Sequence, residues 1–90
     1  MTQFSNRGQD WVVFSNIALN HIENYTIKQY GDKGVDLATE MSADDCIRQV
    51  KKYLARRGKN QREGQDQLDL IKAAHYIQMA FTMEDEDLKQ

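Results

Sequence analysis

The chain predicts an all-α fold: a small bundle of three main helices whose sequence neighbours run antiparallel. Three observations carry that expectation. Its 90 residues include no proline, which suits long helices better than many short strands joined by tight turns. Apolar residues recur three and four apart in separate stretches, the spacing of one face of a 3.6-residue helix. Polar, glycine-containing segments stand between those stretches, at Gly31-Asp32-Lys33-Gly34 and at Lys59-Asn60-Gln61-Arg62-Glu63-Gly64, where the chain can leave one helix and enter the next.

The first helix is expected over about 10–29, with Phe14, Ile17, Ala18, Ile22 and Tyr25 on one face. Asp10, just before Trp11, can accept from its first free amides. The second, over about 43–57, carries Ala43, Cys46, Ile47, Val50, Tyr53 and Leu54 on its apolar face. Ser42 followed by Asp45 resembles a capping box, with aspartate where glutamate or glutamine is usual. Asp44 and Asp45 lie at the positive end of the helix dipole and Arg56 and Arg57 at the negative end, while Gly58 suits a helix exit. The third, over about 65–82, has an unusually wide apolar surface: Leu68, Leu70, Ile71, Ala73, Ala74, Ile77, Met79, Ala80 and Phe81. A helix with that much apolar circumference is central in its bundle or also faces a second copy of itself.

A single domain over 1–83 is expected, followed by an acidic, frayed tail over 84–90. A domain this small buries only about two-thirds of its unfolded surface. Self-association is the common remedy, so a homo-oligomer is expected, a dimer first. Hydrophobic residues make up 40% and charged residues 29%, the balance of a globular rather than a disordered chain. The longest apolar run, Trp11-Val12-Val13-Phe14, falls far short of a membrane helix. The first residues carry no apolar stretch or cleavage pattern, so a cytoplasmic protein is expected. The one cysteine, Cys46, excludes an internal disulfide and a cysteine-based zinc site.

The net charge of −2 conceals a strong partition. Residues 1–45 hold three basic and seven acidic side chains, and residues 63–90 hold two and seven. Between them, residues 46–62 hold seven basic side chains and no acidic one: Arg48, Lys51, Lys52, Arg56, Arg57, Lys59 and Arg62. Arg48, Lys52 and Arg56 are four apart and share a helix stripe with Lys51 beside it. Such a cluster can neutralise several phosphates of nucleic acid or of a nucleotide, each adding salt-dependent affinity. The competing account is structural: the same cations pair with Asp66 and Asp69 just downstream.

Catalytic motifs are absent from the sequence. There is no glycine-bracketed nucleophilic serine and no phosphate loop. His21 and His75 have no histidine, cysteine or carboxylate four residues away, so they read as helix histidines at the edge of a core. Cys46 falls on an apolar face and reads as a buried structural thiol. No cofactor is expected, with one alternative. Glu40, Asp66 and Asp69 could hold magnesium between helices, since that ion takes few carboxylates and keeps its waters. This arrangement looks faintly like the MazG-like all-α pyrophosphohydrolases, although their paired glutamate motif is missing.

Over residues 52–76, Lys52-Tyr53-Leu54-Ala55-Arg56, Gly58-Lys59 and Asp69-Leu70-Ile71-Lys72-Ala73-Ala74-His75-Tyr76 resemble a group of small phage and prophage proteins often labelled nucleotide kinases. Those proteins carry a Lys-Tyr-x-x-Arg helix, a connection with lysine and glycine, and an Asp-Leu-x-Lys-Ala-x-x-Tyr helix. The resemblance singles out Lys52, Tyr53, Arg56, Asp69, Lys72 and Tyr76. In structural terms Tyr53 and Tyr76 would pack across a helix pair, with Arg56 and Asp69 bridging it. The sequence therefore favours a binding or assembly module that contacts phosphate through its basic second helix. A magnesium-dependent nucleotide hydrolase and an oligomerisation protein without ligand are the alternatives.

Overall fold

Ser5, and not Asp10, starts the first helix in the computed structural model, which describes residues 3–31 and 41–85. Helix α1 spans Asn6–His21, with the Ser5 hydroxyl accepting from the Gly8 amide at 3.1 Å. The Gln9 side-chain amide donates back to the Phe4 carbonyl at 2.9 Å, which closes the turn from the other side. Residues 6–10 are all polar or glycine, so apolar periodicity could not show that the helix begins a turn earlier than expected.

After His21 the chain enters a π-helical turn, Ile22–Thr26, before a final α-helical turn, α2, at Ile27–Tyr30. A π turn accommodates one extra residue and rotates everything beyond it around the axis. Asn24 fills the widened turn by donating to the Asn20 carbonyl at 2.9 Å and to its side-chain oxygen at 2.6 Å. His21 and Tyr25 stack with ring centroids 5.3 Å apart. Within these elements the expected apolar face encloses no core of its own. No residue of α1 or the π turn is buried, and Ile17 and Tyr25 are exposed along with Trp11, Val13 and Leu19. Gly31, at φ +81°, ends the element in a conformation that favours glycine.

Residues 1–31 form one compact unit and residues 32–90 a second. In the second, the expected capping box is complete. The Ser42 hydroxyl accepts from the Asp45 amide at 3.1 Å and the Asp45 carboxylate accepts from the Ser42 amide at 2.9 Å. Helix α3 runs Ala43–Ala55, and its last turn tightens as Arg57 N–H bonds to the Leu54 carbonyl at 3.2 Å. Gly58 then takes φ +80° and Gly64 φ +79°, turning the chain into α4, Gln65–Glu84. Helices α3 and α4 pack antiparallel, since Arg56 faces Asp69 while Tyr53, earlier in α3, faces Tyr76, later in α4.

The seam between them is narrow. Among the described residues, Cys46 and Val50 from α3 and Ala73 and Ala80 from α4 are the buried hydrophobic ones. Alanine at two contact positions lets the backbones approach closely. The cost is that larger apolar groups stay outside: Ile47 and Leu54 on α3, and Leu70, Ile77 and Phe81 on α4, are exposed, Phe81 to 60%. Of the tail expected over 84–90, Glu84 still belongs to α4 and Asp85 caps it, while 86–90 lie outside the described residues. All described secondary structure is helical, and no described helix is long and apolar enough to cross a membrane.

Candidate functional site

The connection between α3 and α4 is organised by one buried carboxylate. Asp69, a turn into α4, keeps only 4% of its side-chain surface accessible. Burying an ionised carboxylate is expensive unless its oxygens are satisfied. Here they are. Oδ1 accepts from the Gln65 side-chain amide at 2.8 Å, and Oδ2 from Asn60 Nδ2 at 2.9 Å. Arg56 Nη1 lies 3.6 Å from Oδ1. Burial alone would raise the acid's pKa. The hydrogen bonds from Asn60 and Gln65 and the positive charges of Arg56 and Lys72 outweigh it and hold the carboxyl below its ordinary range.

Asn60 performs a second task. The same Nδ2 donates to Asp66 Oδ1 at 2.8 Å, so one amide of the connection grips both acids of the first turns of α4. Asp66 and Asp69 do come together, as the magnesium alternative requires, but the contacts that join them are N–H donors. Glu40, the third expected ligand, lies outside the described residues. Among the described residues no group of three histidine, cysteine or acidic side chains is placed to hold a metal ion.

Beside this latch lies a cluster built on Tyr53. Its ring stacks against Tyr76 of α4, with centroids 6.0 Å apart and planes 23° from parallel. Three cations surround it. Lys52 Nζ is 5.0 Å from the ring centroid, the Arg56 guanidinium carbon 5.2 Å and Lys72 Nζ 5.8 Å. Each falls within the range where a ring face attracts a cation. The six residues singled out by the resemblance, Lys52, Tyr53, Arg56, Asp69, Lys72 and Tyr76, thus meet at one place on the α3–α4 pair.

All seven basic residues of the stripe are exposed. Two have a carboxylate: Arg56 holds Asp69 and remains 44% accessible, and Arg48 pairs with Asp45 one turn before it on α3. Among the described residues no acid forms an ion pair with Lys51, Lys52, Arg57, Lys59 or Arg62. The structural account of the stripe therefore holds for Arg56 and does not extend to most of its members. Asn60 and Gln65 were not singled out by the sequence. The Gln65–Asp69 contact had a signal, because glutamine and aspartate four apart on a helix are natural partners. Asn60 had none, since it reaches six and nine residues along the chain to its acids. A scan against protein-family models found no match to this chain, and searches of curated proteins and of solved structures found none either.

Proposed function

We propose that the chain is a phosphate-binding module that engages nucleic acid or nucleotides through the C-terminal half of α3 and the connection that follows. One observation carries this reading. The run from Arg48 to Arg62 presents exposed cations throughout its length, and five of its seven charges have no acidic partner among the described residues. Like charges held close together repel unless a counter-charge joins them, and phosphate is the counter-charge that basic clusters of this kind recruit. The latch supports the reading from below. Asn60, Asp66 and Asp69 fix the path of the connection, so Arg57, Lys59 and Arg62 project from an ordered segment.

This reading is preferred to magnesium-dependent hydrolysis because both oxygens of Asp69 and Oδ1 of Asp66 already accept N–H donors. The test is binding of a short oligonucleotide at low salt and its decline as salt rises. Replacing Arg57 and Arg62 together with glutamine removes two phosphate contacts and should flatten the logarithmic salt slope by about two, with helix content unchanged. Absence of binding at low salt, or a slope indifferent to the double substitution, overturns the proposal.

A separate observation supports self-association. Leu70, Ile77 and Phe81 stand on one face of α4, spaced seven and four apart, and all three are exposed. Contiguous exposed apolar surface on a small domain is characteristic of a protein contact.

A further inference from the structure

We propose that Lys52, Arg56 and Lys72, gathered around Tyr53, form a site for a single terminal phosphate monoester, carried by a nucleotide or by the 5′ end of a strand. The proposal rests on the phosphate-binding reading and narrows it to one ligand chemistry. It also adds Lys72, which lies outside the basic run and comes from the opposite helix.

The geometry differs from that of the rest of the stripe. Arg57, Lys59 and Arg62 are strung along the chain, an arrangement suited to an extended backbone that presents one negative charge per phosphate. Around Tyr53, three cations from two helices all lie within 5.8 Å of one ring centroid. The carboxylate beside the cluster is Asp69, which is buried, accepts from two amides, pairs with Arg56 and feels the charge of Lys72. The cluster therefore carries three positive charges against one negative, a formal excess of two. A phosphodiester offers one charge to that excess. A phosphate monoester near neutral pH offers close to two, together with three strong acceptor oxygens.

The cations are also held in advance. The Tyr53 ring attracts them through its quadrupole, and Tyr76 stacked beside it restricts the ring. A ligand therefore loses less affinity to ordering flexible side chains. Arg56 is oriented from below by Asp69, as a guanidinium must be to present its donors to an oxyanion.

The experiment compares one short single-stranded DNA with a 5′-phosphate against the same strand with a 5′-hydroxyl, by fluorescence anisotropy at low salt. The phosphorylated strand should bind about tenfold more tightly, the gain of one well-formed set of charge-assisted hydrogen bonds. Lys72→Gln should abolish that difference and Lys72→Arg should restore it, with helix content followed by circular dichroism. A nucleoside monophosphate that displaces the phosphorylated strand supports the site as one for free nucleotides. Retention of the strand in its presence supports a strand-end site. Equal, salt-dependent binding of the two strands overturns this proposal and leaves the backbone reading standing. If neither strand binds, both fall. The comparison between strands uses the parent protein, so it decides the matter even where a Lys72 variant fails to fold.

Discussion

Replacing Asp69 with asparagine keeps the size of the side chain while exchanging one acceptor oxygen for a donor amide. In the parent, two amide donors and a guanidinium converge on this carboxylate, Asn60 at 2.9 Å, Gln65 at 2.8 Å and Arg56 at 3.6 Å. Asparagine can satisfy one amide with its remaining oxygen, but its new N–H₂ then faces the other donor, and Arg56 loses its counter-charge. A hydrogen bond to a charged group contributes about 1.5–3 kcal/mol. The loss of one, the weakening of a second and a half-exposed ion pair together predict about 2–4 kcal/mol of destabilisation. Each kcal/mol corresponds to roughly 4–8 °C in a domain of this size, so the melting temperature should fall by about 8 °C or more. Thermal and urea unfolding followed by far-ultraviolet circular dichroism at neutral pH measure it. The pH dependence supplies an independent check. Because the folded-state pKa of Asp69 is lowered, its contribution is fully present above the unfolded value and is lost as pH falls through the folded one. The gap between parent and Asp69→Asn should therefore narrow on acidification. A loss under about 1 kcal/mol, or a gap that does not change with pH, refutes the role assigned to the carboxylate.

Two further predictions can be checked on the same protein. Ser42→Ala removes the hydroxyl half of the capping box, which accepts from Asp45 at 3.1 Å, and should cost about 1 kcal/mol in urea unfolding. If α4 meets a second copy, sedimentation at micromolar concentration should show a dimer or larger species. Ile77→Glu with Phe81→Glu should then release monomer, since both side chains are exposed and leave the α3–α4 seam untouched. A parent that stays monomeric at about a hundred micromolar ends that reading.

The legible parts of the fold were those where local chemistry and periodicity agreed. Ser42 and Asp45 announce the start of α3, and its amphipathic face and Gly58 mark the rest, because caps and turns are decided by residues a few positions apart. The first helix shows where periodicity stops informing. Its apolar spacing across His21 assumes an uninterrupted 3.6-residue period, and the π turn at Ile22–Thr26 breaks that assumption without any proline or glycine to mark it. On α4 the residue types gave an apolar surface wide enough for a central helix or for one that also faces a second copy. In the α3–α4 pair Ala73 and Ala80 are buried, and Leu70, Ile77 and Phe81 stay outside. At the site, the link between Arg56 and Asp69 could be read from the charge pattern and the antiparallel pairing. The role of Asn60 could not, because a polar residue in a connection has no periodicity, and its partners are fixed only once the chain has turned.

The seam between α3 and α4 also carries its own stopwatch. Cys46 is the chain's one thiol and is fully enclosed at 0% exposure, where burial raises its pKa and keeps it in the unreactive protonated form. A soluble aromatic disulfide reagent can reach that sulfur only when the packing around it opens. The rate of labelling therefore counts the openings that expose Cys46 with no introduced probe. Phosphate ligands that bridge α3 and α4 should slow that clock, whereas ligands that touch only the connection should leave it running at the same pace.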